Sequence, residues 1–122
     1  MTQNSFWILT VLARGRRHGY DIMREAAKLS GGSVALKATT LYAALDRLEA
    51  EGLILKDGEE IVDGRARRYY RLSDEGADAL DDEANALEMR ASIAKARLIS
   101  MRSLGAGAWL SVPRVSLRVH AW

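Results

Sequence analysis

Residues 38–72, ATTLYAALDRLEAEGLILKDGEEIVDGRARRYYRL, contain the patterns that decide the fold of this chain. Within them Leu41, Leu45 and Leu48 stand at i, i+4 and i+7, which places one apolar stripe along a helix. Gly52 comes soon after the last leucine and is a typical residue at which a helix ends. The pattern therefore predicts a helix with one buried face and an opposite face of small residues that can approach another surface closely.

A β-hairpin is predicted directly after this helix. Asp63-Gly64 is typical of a two-residue turn in which both central positions need positive φ. Residues 53–55 and then 61–62 predict the strand before the turn, broken by a bulge at Asp57-Gly58, and residues 65–72 predict the return strand. A short hairpin of this kind can form the wing of a helical domain.

Two shorter helices are predicted before the quoted segment. Residues 6–12 are apolar nearly all the way round, so their helix needs burial on two sides, as at a contact with a partner subunit. Residues 20–29 predict a second helix, in which we expect Tyr20, Met23, Ala27 and Leu29 to face inward. Three helices followed by a hairpin are the arrangement of a winged helix-turn-helix.

The longest regular pattern lies after the hairpin. Ser73 is a typical N-cap, and beyond it apolar residues repeat at +3 and +4, as in a helix that packs along a partner helix. Acids such as Asp81 and Glu88 lie early and Lys95 and Arg97 lie late, so two antiparallel copies would match opposite charges. The alternative is that these charges only complement the helix dipole. The repeat consists of Ala77, Leu80, Ala84, Leu87, Ala91, Ala94, Leu98 and Met101.

The chain of 122 residues fits one compact domain with extensions. We assign residues 1–72 to a winged helix-turn-helix domain, mainly α-helical with a small β-hairpin. Residues 73–102 are predicted to form a long C-terminal dimerisation helix. Residues 103–122 carry no acid, no regular period and the only proline of the chain, so we predict a tail without an assigned role.

The composition excludes several classes of site. The chain has no cysteine, which excludes disulfides, thiolate metal sites and cysteine nucleophiles and suits a reducing cytoplasm. Two histidines, His18 and His120, are too few for a zinc site or a catalytic constellation, and no glycine-rich loop has phosphate-binding spacing. No apolar run approaches the roughly 18 residues of a membrane span. We therefore expect a cytoplasmic protein that is not an enzyme and needs no cofactor, metal or membrane.

The net charge of +2 is small, but the charges are sorted along the chain. Acids concentrate between Asp74 and Glu88, whereas one basic cluster precedes the third helix and another lies on the return strand of the hairpin. Such sorting lets a folded chain present one basic face to nucleic acid, and ordinary solvated faces are the alternative. The basic clusters are Arg14, Arg16, Arg17, Arg24, Lys28 and Lys37, followed by Arg65, Arg67, Arg68 and Arg71.

Four blocks carry a family resemblance: HGYDI at 18–22, TLYAAL at 40–45, RLEAEGLI at 47–54 and GRARRYYRL at 64–72. In this order and spacing they resemble the PadR-like transcriptional regulators. The resemblance implies a dimeric repressor whose long C-terminal helix joins the subunits, whose third helix enters the major groove and whose wing touches the DNA backbone. Many members release DNA when a small aromatic molecule binds near the dimer interface. This chain departs from the family at Ala43, where many members have proline.

The residue types indicate which side chains would contact DNA. On a helix in the major groove, Thr39 and Ala43 suit thymine methyl groups, while Tyr42 suits a phosphate or a base edge. Arginines beside a tight turn neutralise phosphates without reading sequence. The alternatives are a solvated surface, a contact within the domain for Arg68, and a protein-interaction module for the whole domain. The predicted DNA-binding residues are Lys37, Thr39, Thr40, Tyr42, Ala43, Arg47, Arg65, Arg67 and Arg68.

A second set of residues is predicted to join two subunits. The large side chains of the first helix would face the alanine-rich repeat of the long helix across the dimer. This arrangement can leave an apolar slot at Trp7 for a planar aromatic effector, and the alternative is that Trp7 fills the dimer contact as core. The predicted interface consists of Phe6, Trp7, Leu80, Ala84, Leu87, Ala91, Ala94 and Leu98.

Overall fold

The computed structural model describes residues 1–108, which contain four helices and three strands. Residues 1–84 form one unit, and the last helix from Asn85 onward belongs to a second. The order of the elements confirms the predicted winged helix-turn-helix with a long helix after it. The elements are α1 (Gln3–Leu12), β1 (Arg17–His18), α2 (Gly19–Leu29), α3 (Ala38–Ala50), β2 (Ile54–Val62), β3 (Arg65–Leu72) and α4 (Asp74–Ala108).

The core of the first unit lies between the three short helices and one face of the sheet. Leu41, Leu45 and Leu48 are all buried, which confirms the apolar stripe predicted for α3. Burying one such side chain contributes roughly 1.5–3 kcal/mol, so the stripe anchors α3 firmly and leaves its opposite face free. The buried apolar residues are Ile8, Leu9, Val11, Leu12, Ile22, Ala26, Val34, Leu36, Leu41, Ala44, Leu45, Leu48, Ile54 and Tyr70.

The inward face of α2 differs from the prediction. Ile22 and Ala26 are buried, Met23 is half-buried, and Tyr20 and Leu29 are 57% and 53% exposed. The apolar residues of this helix are compatible with two overlapping stripes, and the sequence pattern alone does not choose between them. Packing against α1 and α3 selects the stripe through Ile22 and Ala26, so the predictions for Tyr20 and Leu29 were wrong.

The sheet has a third strand that the sequence analysis did not predict. β1 pairs antiparallel with β3, with Arg17 opposite Tyr70 and His18 opposite Tyr69, and the strand order is β1-β3-β2. A strand of two residues is too short to show an alternating pattern. Its pairing depends on β3, which lies far along the chain.

The hairpin has the predicted turn. Asp63 and Gly64 both have positive φ, at 52° and 75°. The register between β2 and β3 shifts between Lys56 and Glu59, and Gly58 in this gap has a φ of 93°, which confirms the predicted bulge. The bulge changes the direction of the distal half of the hairpin relative to the half that packs on the core.

Ser73 is the N-cap of α4, as predicted. Its hydroxyl accepts a hydrogen bond from the Gly76 amide at 2.9 Å and donates one to the Gly52 carbonyl at 2.6 Å. The helix continues past Arg102, where the sequence analysis ended it, to Ala108. The remainder of the predicted tail, 109–122, lies outside the described residues. Within residues 1–108 no helix is both long enough and apolar enough to cross a membrane.

Candidate nucleic-acid interface

The N-terminal half of α3 presents a continuous exposed face. Thr39, Thr40, Tyr42 and Ala43 are all exposed, as is Lys37 at the position before the helix begins. The buried stripe of α3 lies on the other side of the same turns. The structure therefore brings these five residues of the predicted DNA-binding set together on one surface.

Tyr42 rests against the start of α2. A Cβ atom added to Gly19 would come within 2.6 Å of the Tyr42 hydroxyl oxygen, so the absence of a side chain at Gly19 leaves room for this ring. Tyr42 nevertheless keeps 45% of its surface exposed. The contact positions Tyr42 at the junction of α2 and α3. This contact was not predicted from the sequence, although a glycine at the first position of a helix is a signal for close approach.

Arg47 points toward α1. Its Nη2 donates to the Ser5 hydroxyl at 3.2 Å, and its Nε lies 3.9 Å from Glu51 Oε1. Ser5 is itself buried and hydrogen-bonded to Thr2. These contacts tie α3 to α1, and contact of Arg47 with DNA stays a prediction. A cavity of about 510 Å³ beside them is lined by Met1, Thr2, Ser5, Arg47, Leu48, Glu51 and Leu53.

The wing arginines lie on the exposed part of β3, opposite residues of β2. Arg65 stands opposite Val62, but Arg67 stands opposite Glu60 and Arg68 opposite Glu59. The prediction of a basic wing rested on the arginines and left out these acids. The two-residue turn already implied the pairing, because positions equally far from Asp63-Gly64 face each other. The wing is therefore less basic than its arginines alone suggest.

The wing arginines also differ in their surroundings. Arg68 lies close to Tyr70, whose pKa is raised by burial and is partly lowered again by this guanidinium. This agrees with the alternative that Arg68 makes a contact within the domain. Within residues 1–108, neither Arg65 nor Arg67 makes a side-chain hydrogen bond or ion pair. Both guanidinium groups are therefore available to an anion.

One face of the wing carries a cluster built around Tyr69. The guanidinium of Arg16 lies 3.9 Å from the centre of the Tyr69 ring, and the His18 ring meets it edge-on at 5.4 Å. The Tyr69 hydroxyl donates to Glu60 Oε2 at 2.9 Å. This hydrogen bond to a carboxylate raises the pKa of Tyr69, and burial adds to the shift. Arg16 also donates to the Asp57 carbonyl at 2.7 Å and lies 3.4 Å from its carboxylate.

The residues predicted at the dimer interface form two groups: one packs within its own subunit, and the other lies further along α4 and is largely exposed. Phe6 and Trp7 are half-buried with their rings edge-to-face at 5.3 Å, and Trp7 and Leu80 pack against the core of their own subunit. Leu87 and Leu98 are 40% and 43% exposed. Ala84 is half-buried, while Ala91 and Ala94 are exposed. The exposed apolar residues on the other sides of α4 include Met89, Ile93, Ile99 and Leu104.

A family profile provides the decisive comparison. The profile described as the transcriptional regulator PadR-like family matches residues 8–82, more than half of the chain. The chain belongs to the PadR-like family. Its membership confirms the resemblance predicted from the four sequence blocks, and it places the chain among regulators of transcription rather than enzymes.

Relatives and solved structures agree with this membership. The PadR-family chain is 41% identical over 81 residues to the transcriptional regulator Rv3488 of Mycobacterium tuberculosis, covering 66% of this chain and 72% of that protein. A PadR family transcription regulator from Clostridium difficile superposes with a TM-score of 0.64 at 28% identity, covering 80% of this chain and 99% of that one.

A further solved structure is that of Bacillus subtilis PadR in complex with operator DNA. It superposes on this PadR-family chain with a TM-score of 0.59 at 28% identity. The match covers 66% of this chain and 45% of the Bacillus chain. This chain therefore spans less than half the length of that DNA-bound relative.

Proposed function

We propose that this PadR-family regulator is a cytoplasmic, homodimeric repressor that binds double-stranded operator DNA in a sequence-specific manner. The observation that carries the proposal is the exposed face of α3, from Lys37 to Ala43, together with a wing on which Arg65 and Arg67 have no side-chain hydrogen bond or ion pair within residues 1–108. The complex of Bacillus subtilis PadR with operator DNA supports it by family likeness.

In the proposed complex α3 lies in the major groove and reads base edges. The groove is about 12 Å wide and admits one helix. Thr39 and Ala43 would contact thymine methyl groups, because both are small and exposed at the centre of the free face. Thr40 and Tyr42 would donate to a base edge or a phosphate. These contacts would supply the sequence preference.

The wing would supply contacts that do not depend on sequence. Arg65 and Arg67 can each neutralise a phosphate, which releases counterions and strengthens binding to any duplex. Lys37 would act in the same way at the N-terminus of α3, where the helix dipole also favours an anion. Arg68 contributes less to phosphate binding in this scheme because its guanidinium also interacts with Tyr70.

Dimerisation would align two recognition helices with two half-sites. The exposed Leu87 and Leu98 lie on the alanine-containing repeat of α4 and offer apolar surface to a second copy. Antiparallel helices would also set the early acids against the late bases. Repression would follow from occupancy of the operator, and release by a planar aromatic effector at Trp7 stays a prediction.

The first test is selection of bound duplexes from a random pool, followed by titration of the best duplex. We expect a pseudo-palindromic site with half-sites about one helical turn apart and a dissociation constant between nanomolar and micromolar. The affinity should fall with salt, each phosphate contact contributing about 0.9 to the log–log slope. Equal binding to every duplex would contradict the proposal and favour the protein-interaction module.

Replacement of Tyr42 and of Arg67 should weaken binding in two different ways. Tyr42→Ala should reduce the preference for the selected duplex over a scrambled one by about tenfold, because a contact at a base edge is lost. Arg67→Ala should weaken binding to both duplexes alike. It should also lower the slope of log affinity against log salt concentration by about 1 for each lost phosphate contact. Fluorescence anisotropy with the two duplexes at several salt concentrations separates these effects. A change in preference with Arg67→Ala would refute the assigned role of the wing.

A further inference from the structure

The wing contains an arginine and a glutamate that stand opposite each other without pairing. Glu60 is the cross-strand neighbour of Arg67. Directly opposite residues on one face of an antiparallel pair have Cβ atoms about 4.5–5.5 Å apart, so opposite charges at such positions normally interact. Here the Glu60 carboxylate instead accepts the hydrogen bond of Tyr69 at 2.9 Å. The hydroxyl of Tyr69 thus fixes the orientation of the carboxylate that would otherwise be free to pair with Arg67.

Arg16 fixes the ring that makes this hydrogen bond. Its guanidinium lies over the Tyr69 ring at 3.9 Å and also binds both the carbonyl and the carboxylate of Asp57 at the bulge. Gly58 leaves space for it, since a Cβ there would come within 3.2 Å of Arg16 Nη2. The same arginine therefore engages a second wing acid and holds Tyr69 in place.

We infer that Tyr69, held in place by Arg16, is a positioning residue for the wing, which orients the carboxylate of Glu60 so that it does not pair with Arg67 and so keeps Arg67 available to a DNA phosphate. The inference rests on the proposed function of Arg67. It explains how Arg67 can remain unpaired although an acid stands opposite it. The interaction acts on the distal half of the hairpin, beyond the bulge, where the wing no longer packs on the core.

Tyr69→Phe is the sharpest test, because it removes only the hydroxyl and leaves the ring beneath Arg16. Replacing Arg16 would be less informative, since it also removes a positive charge and the contacts with Asp57. In Tyr69→Phe the freed Glu60 should pair with Arg67 in each subunit of the dimer. We expect the affinity for the selected and the scrambled duplex to fall alike by about tenfold, and the salt slope to fall by about 1–2.

The matched variant is Glu60→Gln, alone and combined with Tyr69→Phe. Glu60→Gln alone measures the effect of losing a negative charge, and in the combined variant affinity and salt slope should return to those of Glu60→Gln alone. In an Arg67→Ala background, Tyr69→Phe should have no further effect. Thermal unfolding of each variant, compared with the wild-type chain, shows whether the fold is kept.

The outcomes separate this inference from the proposed function. If Arg67→Ala weakens binding but Tyr69→Phe does not, or if Glu60→Gln fails to restore the combined variant, the role of Tyr69 is refuted and the wing contact stands. If Arg67→Ala leaves affinity and salt slope unchanged, both the wing contact and the inference are refuted.

Discussion

Gly76→Ala is expected to lower the free energy of unfolding by about 3 kcal/mol, although alanine is the better helix former by about 1 kcal/mol. Gly76 lies in the first turn of α4 and is buried. A Cβ atom there would overlap the carbonyl oxygen of Leu53 and come within 2.9 Å of Leu72 Cδ1. The Leu53 carbonyl cannot move away freely, because it accepts the Ser73 amide at 3.1 Å.

Urea denaturation at one fixed protein concentration measures this effect through the midpoint and slope of the transition. Ala77→Gly is the matched control, since Ala77 is the exposed neighbour in the same turn. It should lower the free energy of unfolding by only about 1 kcal/mol, from helix propensity alone. If Gly76→Ala stabilised the protein, the close approach of α4 to the segment after α3 would be wrong.

Leu87→Asp combined with Leu98→Asp is expected to convert the proposed dimer into a monomer and to weaken operator binding by at least about 100-fold. Both side chains are exposed on the helix repeat that would meet a second copy. A carboxylate buried in that contact without a partner would be strongly destabilising. Without dimerisation each half-site is bound independently, and the gain in effective concentration from joining two binding domains is lost.

Sedimentation of the full chain at micromolar concentration measures the oligomeric state, and titration of a duplex with both half-sites measures the loss of affinity. Asn85→Asp combined with Ser92→Asp is the control, because it adds the same charge at exposed polar positions of α4. This control should remain dimeric and bind DNA nearly as well as the wild-type chain. A wild-type chain that sediments as a monomer would refute the dimer.

A third double variant tests which face of α4 makes the contact. Met89 and Ile93 are also exposed, on the side away from the repeat of Leu87 and Leu98. Met89→Asp combined with Ile93→Asp should leave the dimer intact if the repeat is the interface. If the Met89 and Ile93 variant is a monomer while the Leu87 and Leu98 variant remains a dimer, the interface lies on the opposite face of α4.

Several features of the fold could be predicted from the sequence because short-range chemistry determines them. The spacing of Leu41, Leu45 and Leu48 determines one buried face of α3, and the Asp63-Gly64 pair determines the turn through its positive φ values. Ser73 caps α4 by a hydrogen bond within its own turn. The register that places Glu60 opposite Arg67 also follows from the turn, although its consequence for the wing was not recognised from the sequence.

The remaining features depend on packing between segments that are distant along the chain. β1 exists only because β3 lies beside it, and the choice of Ile22 over Tyr20 as the buried residue of α2 depends on the neighbouring helices. Likewise, the contact of Tyr42 with Gly19 joins two separate helices. Local periodicity determines which element forms and where it ends. Which of several compatible faces becomes buried, and which partner a polar side chain finds, is decided when the elements pack together, because that choice depends on the shape and charge of the whole assembly.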